Sequence, residues 1–301
     1  MPGRLRKEIM QYQEPKVIAE AGCNHKGDMD IAKEMINIAA IFCKSYAIKF
    51  QKRCNKELLT EEEYNAPHPN PVNSYGNTYG AHREFLEFDL DQHRQLKKWC
   101  GEMNIVYSTS VWDVTSAREI VSIEPEFIKV PSACNLNRSL LEYLCENYSR
   151  QIHLSLGMTT ESEQEEIVSF FESKKRNKDL VIYNCTSGYP VPFEDVCLLE
   201  IDKIRERFAH RVGAVGFSGH HLGIAVDISA YTLGARWFER HYTLDRTWKG
   251  TDHAASLEPD GVRKLSRNLM ATYKALQYKN KDVLDIEQIQ RDKLKKNQIK
   301  W

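Results

Sequence analysis

The chain has 301 residues, with 42 lysines and arginines balancing 42 aspartates and glutamates, and 42% of its residues are hydrophobic. Zero formal net charge argues against nucleic acid as the main partner. With no apolar run of about eighteen residues, no transmembrane helix is expected, and the length suits one large domain.

The opening stretch MPGRLRKEIMQYQEPK lacks the apolar core of a secretion signal. Eight cysteines are scattered without a CxxC pair. That pattern predicts free thiols in a reducing, cytoplasmic setting rather than disulfides or a zinc cluster.

Short β-type runs recur at 17–20, 46–51, 105–109, 127–130, 152–156, 180–184, 213–217 and 235–239. Helix-type segments follow most of them. The clearest is 28–44, where Ile31, Met35, Ile38 and Phe42 recur at helical spacing behind the candidate N-cap Asp28. Another, 160–174, opens on a capping signature before Ile167, Phe170 and Phe171. Eight strands alternating with helices predict an α/β chain, a single-domain (β/α)8 TIM barrel over 1–278, with an open doubly wound sheet as the alternative. No GxGxxG follows the first strand, which weakens a dinucleotide-binding reading.

Two parts depart from a bare barrel. Proline, glycine and asparagine in 53–104 predict a long loop between strands two and three. Its His68, Tyr75, Tyr79 and His82 suit a cover over a substrate. The segment 279–301 is rich in lysine and glutamine and poor in apolar residues, and reads as a polar tail that is either a solvated helix or a disordered end.

Alternate residues of a barrel strand face its axis. Ile48 and Phe50 share one face, so Lys49 and Gln51 point inward; Lys129 does so opposite Ile128 and Val130. The same rule turns Glu20, Tyr107 with Thr109, His153 with Ser155, Ser218 with His220, and Glu239 with His241 toward one face. Strand six runs into Ser187 and Tyr189. Catalytic groups of such barrels stand at the C-terminal ends of the strands. Two inward lysines invite a phosphate or carboxylate; the alternative is that each pairs with a carboxylate such as Glu20 or Glu239 for structure alone. His220 and His241 end neighbouring strands, where neutral imidazoles suit a divalent metal. Two loop histidines without a metal are the alternative. His25 reads either as a turn residue or as part of the site. Cys23, Cys134 and Cys185 read as packing or turn residues.

The motifs AEAGCNHKGD, AIKFQ, YSTS, FIKVPS, LSLGMTT, NCTSGYP, GFSGHH and ERHYTLDRTWKGTDHAASLEP resemble the N-acetylneuraminate (sialic acid) synthase family over 17–276. The resemblance implies a transferase that condenses phosphoenolpyruvate with an N-acetylhexosamine, N-acetylmannosamine or a relative, releasing phosphate. It makes His220 and His241 ligands of Mn2+ or Mg2+. Lys49, Thr109, Lys129, Ser132, Ser155, Ser187 and Ser218 fall where the family holds phosphoenolpyruvate; Gln51, Tyr189, Glu239 and Asp252 fall where it holds the sugar. Glu20 matches the carboxylate that handles protons. Ser187 stands where some bacterial members have asparagine. The family's C-terminal antifreeze-like domain is not expected, since the sequence stops after a linker-like 285–293, and a homodimer is expected from the barrel alone. A synthase of legionaminic or pseudaminic acid, or a non-catalytic ligand-binding barrel, is the alternative.

Overall fold

A computed structural model describes residues 12–295. The predicted non-signal N-terminus falls largely outside these residues, as does the end of the polar tail. The first half runs β1 (Lys16–Gly22), α1 (Met29–Ile41), β2 (Ala47–Lys52), α2 (Asn55–Leu58), α3 (Glu61–Asn65), α4 (Tyr79–Phe85), α5 (Leu90–Glu102), β3 (Val106–Val111), α6 (Val114–Val121) and β4 (Phe127–Val130). The second runs α7 (Arg138–Asn147), β5 (Gln151–Ser155), α8 (Glu161–Ser173), β6 (Leu180–Cys185), α9 (Glu200–Phe208), β7 (Ala214–Gly219), α10 (Ala225–Thr232), β8 (Trp237–His241), α11 (Pro259–Ala275) and α12 (Asp285–Leu294).

The strands form a closed barrel in chain order, each parallel to its neighbours, and β1 closes it against β8 with Glu20 opposite His241. This is a single-domain TIM barrel. Helix starts follow their capping chemistry. Asp28 accepts from the backbone of Asp30 and Ile31 at the head of α1, and Thr160 and Glu163 make a reciprocal capping box on α8.

Outward strand residues such as Ile48, Phe50, Ile128 and Val130 join the helices in the main core. Inside the barrel, Ile18, Ala47, Phe127, Val181, Tyr183 and Trp237 form a separate, closed layer. Each fully buried side chain of this size contributes about 1.5–3 kcal/mol. Gly216 is required in that layer, because a Cβ there would stand 2.6 Å from the Tyr183 ring. His153 belongs to it as well, stacked 4.1 Å from Phe127 and joined to the Tyr183 hydroxyl at 2.7 Å. The barrel is therefore plugged below, and its inward lysines and carboxylates gather above this layer.

Two expectations change. Residues 53–104 are not a loop throughout, since α5 is the barrel's own helix after β2, capped by Asp89 and Gln92. Its signal was weak because it buries only His93, Leu96 and Cys100. Second, β3 has the opposite parity to that predicted. Thr109 donates to the Tyr107 hydroxyl at 2.5 Å, which meets His93 of α5 at 2.8 Å. Tyr107 and Thr109 thus face the helices, and Ser108 and Ser110 face the axis. The run YSTS carries no apolar alternation to fix its register. The described part of the tail holds the exposed helix α12, with Ile286 at 75% and Leu294 at 76% exposure, in line with the solvated-helix reading.

Candidate active site

Above the aromatic layer, the strand ends enclose a cavity of about 450 Å³. Of the residues singled out from the sequence, Glu20, Lys49, Gln51, Lys129, Ser132, Ser155, Ser187, Tyr189, Ser218, His220, Glu239, His241 and Asp252 line it, and Thr109 does not. Ser110 takes the inward place on β3 and bonds the Lys49 ammonium.

Two lysines and two carboxylates meet on the floor. Lys49 binds Glu20 and stands 3.7 Å from Glu239. Lys129 donates to both oxygens of Glu239, at 3.0 and 3.3 Å. Both lysines therefore do have the carboxylate partners of the structural alternative, yet the pairs form a cavity wall rather than a closed core. Burial drives both carboxylates upward in pKa. For Glu20 it wins over Lys49, and nearby Glu239 adds to the rise. For Glu239 the two lysine charges outweigh burial and hold it down. Two neighbouring carboxylates are thus pushed apart in proton affinity, the pattern that separates an acid from an anion.

Beside this floor, Ser132, Ser155 and Ser187 gather around Gly157. A Cβ on Gly157 would lie 2.6 Å from the Ser132 hydroxyl and 2.7 Å from that of Ser187. The Asn135 side-chain amide holds this turn by donating to the carbonyls of Ser155 and Gly157, each at 3.0 Å. Hydroxyls, close backbone and a lysine make a cradle suited to an oxyanion.

The rings of His220 and His241 are 5.4 Å apart. The Thr186 carbonyl, 2.9 Å away, fixes His220 through Nδ1 and leaves Nε2 for the cavity. Burial alone would depress His220, but its hydrogen bond and charge contact with Cys185 raise it. His241 is pushed down to about 4 by burial, so its ring is neutral near pH 7. His241 Nδ1 is buried without a hydrogen-bond partner, and Asp252 Oδ2 lies 3.9 Å from it. An orphaned imidazole nitrogen beside a second imidazole and a carboxylate fits a divalent ion in donor chemistry. Among the described residues no three histidine, cysteine, aspartate or glutamate side chains gather into a ready-made metal cluster. The second histidine of the pair turns away: His221 Nε2 sits 3.2 Å from Asp227, which also holds Arg240.

Arg53 and Trp112 escape the sequence reading, Cys23 and Cys185 line the cavity although the sequence reads them as packing or turn residues, and His82 lines it from the segment that reads as a cover. Cys185 faces inward from β6, and its Sγ accepts from Ser132 at 3.7 Å. Burial opposes its ionisation, but His220 and Lys129 outweigh that and lower its pKa. Cys23, Arg53, His82 and Trp112 also line the cavity. Extending the Lys49–Gln51 parity by two residues past the strand would have found Arg53. His25, by contrast, stacks 4.0 Å from Phe88 and accepts from the Gly27 amide, and Cys134 points at the Trp112 carbonyl; neither lines the cavity.

The sequence profile described as the NeuB family matches residues 35–281. The chain belongs to the NeuB family. This makes it an enzyme, a phosphoenolpyruvate-condensing synthase of the nonulosonic acid type. The NeuB chain is 36% identical over 288 residues to N-acetylneuraminate-9-phosphate synthase of Homo sapiens, covering 94% of itself and 77% of that relative. It is 30% identical over 261 residues to N,N'-diacetyllegionaminic acid synthase of Campylobacter jejuni, covering 86% and 77% of the two chains. Among solved structures it is similar to an N-acetylneuraminic acid synthetase from Leptospira borgpetersenii, with a TM-score of 0.78 at 29% identity and coverage of 95% and 94%. No helix among the described residues is long and apolar enough to cross a membrane.

Proposed function

We propose that this synthase joins phosphoenolpyruvate to an open-chain 2-acetamido hexose, N-acetylmannosamine or a close relative, giving a sialic-acid-type product and phosphate. The observation that carries this reading is the serine cradle around Gly157, set beside Lys129 at the mouth of a plugged barrel. It offers hydroxyl and ammonium donors to one small anion at a place where catalytic groups of this fold stand. The free thiols of all eight cysteines fit a reducing compartment such as the cytoplasm.

The residues divide the work. Lys129, Ser132, Ser155, Ser187 and Ser218 hold the phosphoenolpyruvate anion, and Lys49 joins them at the cost of its contact with Glu20. Gln51, Tyr189 and Asp252 orient the sugar. His220 and His241 would hold Mn2+ or Mg2+, which when bound supplies Lewis-acid polarisation of a carbonyl oxygen. A bond forms between the methylene carbon of phosphoenolpyruvate and the aldehyde carbon. Water adds at the former enol carbon, and the bond from that carbon to the phosphate oxygen breaks. Glu20, whose proton burial retains above the usual carboxylate range, exchanges a proton with the sugar oxygen or the adding water. Glu239 stays anionic between the two lysines and offsets the positive charge that would otherwise fix phosphoenolpyruvate too tightly for product release.

The test is phosphate release from phosphoenolpyruvate with a panel of 2-acetamido sugars in the presence of Mn2+. N-acetylmannosamine or its 6-phosphate should support the highest kcat/KM. Turnover only with the diacetamido sugars that lead to legionaminic or pseudaminic acid would reassign the substrate, and no turnover with any sugar would overturn the reading.

A further inference from the structure

The wall of the cavity next to β2 and β3 has a polarity unlike its floor. Arg53 lines it, one strand-period beyond Gln51. Its Nε and backbone amide engage the two oxygens of Glu87, and its Nη2 donates to Cys23 Sγ at 3.1 Å. Its Nη1 has no hydrogen-bond partner among the described residues. Trp112, also in the lining, has a buried indole N–H with no acceptor. Behind this lining, on α4, Arg83 is only 7% exposed, forms no ion pair among the described residues, and leaves its buried Nε unbonded. The guanidinium carbons of Arg53 and Arg83 each lie 5.8 Å from the centre of the Trp112 ring. Next to Arg83 in the chain, His82 lines the cavity too, and its Nδ1 accepts from the Tyr75 amide at 3.1 Å. That bond places the ring proton on Nε2, making a further donor.

Each of these four side chains keeps an N–H without an acceptor among the described residues, and two nearby carboxylates are already committed. Glu87 is held by Arg53, and Asp113 accepts from the amides of Cys54 and Ser116. A buried guanidinium without an anion is costly, and both burial and the charge of Arg53 depress the Arg83 pKa. Sugar hydroxyls donate as well as accept and carry no charge, so they do not match such a wall. A phosphate monoester does: its oxygens are strong acceptors and it carries nearly two negative charges at neutral pH. The wall lies on the β2 side, past Gln51, whereas the serine cradle lies on β4 to β6.

We infer that Arg53, Arg83, His82 and Trp112 form a second anion seat, which holds a terminal phosphate on the hexose and makes the enzyme select a sugar phosphate over the free sugar. The inference rests on the proposed condensation with a 2-acetamido hexose and names which form of that sugar is used. Phosphoenolpyruvate itself is the other source of a phosphate for this wall, and the two differ in whose KM responds.

The experiment measures kcat/KM for N-acetylmannosamine and for its 6-phosphate at saturating phosphoenolpyruvate, and the KM of phosphoenolpyruvate at saturating sugar, in the wild type and in Arg53→Gln, Arg83→Gln and Arg83→Met. The wild type should prefer the 6-phosphate at least tenfold. Each variant should lower that preference tenfold or more through the KM of the sugar phosphate. Arg83→Met should keep or raise the Tm, because it removes a buried charge without an ion-pair partner among the described residues. A Tm that falls sharply in both Arg83 variants would assign Arg83 a packing role, and Arg53→Gln would then carry the kinetic test alone. An unchanged preference, or a rise confined to the KM of phosphoenolpyruvate, overturns the inference. Absence of phosphate release with either sugar in the wild type would instead defeat the underlying function, so the two failures are distinct.

Discussion

Lys129 holds Glu239 by both carboxylate oxygens, at 3.0 and 3.3 Å, while Lys49 stands 3.7 Å from the same carboxylate and pairs with Glu20. The four residues form one buried, ion-paired unit at the base of the cavity. An entering anion competes with Glu20 and Glu239 for the two ammonium groups.

Removal of one member should therefore disturb both stability and binding. Lys129→Ala leaves Glu239 buried with only the longer Lys49 contact, and breaking such a pair costs about 3–5 kcal/mol. The same change should weaken phosphoenolpyruvate binding by about ten- to hundredfold, the worth of a charge-assisted contact. The double variant Lys129→Met with Glu239→Leu should recover most of the Tm and none of the affinity. Thermal melts and calorimetry with phosphoenolpyruvate check both parts.

Glu20 and Glu239 give opposite pH dependences. Burial raises the folded pKa of Glu20, so its contribution to stability is greatest in acid and declines as pH rises from the ordinary carboxylate range through the raised value. Although burial opposes it, the lysine charges lower that of Glu239, whose contribution is present above the ordinary range and lost as pH falls below it. Glu20→Gln should flatten the decline on the alkaline side and leave the acid-side loss in place. Denaturant unfolding from about pH 4 to 9, which spans the ordinary carboxylate and histidine values, reads this directly.

The metal reading predicts that exhaustive chelation abolishes phosphate release and that Mn2+ restores it. His241→Ala should lower metal affinity more than about tenfold, since losses even outside the direct ligands reach that size. Calorimetric titration of Mn2+ into chelated protein measures the affinity without reference to turnover. Equal Mn2+ affinity in His241→Ala and the wild type would remove His241 from the ligand set.

The two faces of β3 separate cleanly by mutation. Thr109→Val should cost about 0.5–1.5 kcal/mol through the lost hydrogen bond to Tyr107 and leave kcat/KM within about twofold. Ser110→Ala, which removes an acceptor from Lys49, should reduce turnover with little change in Tm. The opposite assignment of effects would restore the inward placement of Thr109.

Strand order and closure were legible because most β-runs alternate cleanly. Lys49 between Ile48 and Phe50, and Lys129 between Ile128 and Val130, can face only one way. In β3 that information is missing, because three consecutive hydroxyl residues fit either face and the choice is made by His93 reaching Tyr107 from α5. The basic wall was hidden for a different reason. Arg83 lies on α4, a seven-residue helix inside a segment that reads as a loop, and only folding brings it to Trp112 and Arg53. Pairings such as Lys129 with Glu239, 110 residues apart, depend on barrel closure and have no local signature.

The central claim is that the cavity joins phosphoenolpyruvate to an amino sugar with loss of phosphate. Its most direct test is a mass spectrum of the purified enzyme's reaction with phosphoenolpyruvate, Mn2+ and N-acetylmannosamine or its 6-phosphate, with phosphate quantified in parallel. The account predicts a product whose mass is the sum of the sugar, phosphoenolpyruvate and one water less one phosphoric acid, formed one for one with phosphate and strongly reduced in Lys129→Ala at subsaturating phosphoenolpyruvate. Phosphate released without sugar, or a condensation product that still carries the phosphate of phosphoenolpyruvate, would contradict it.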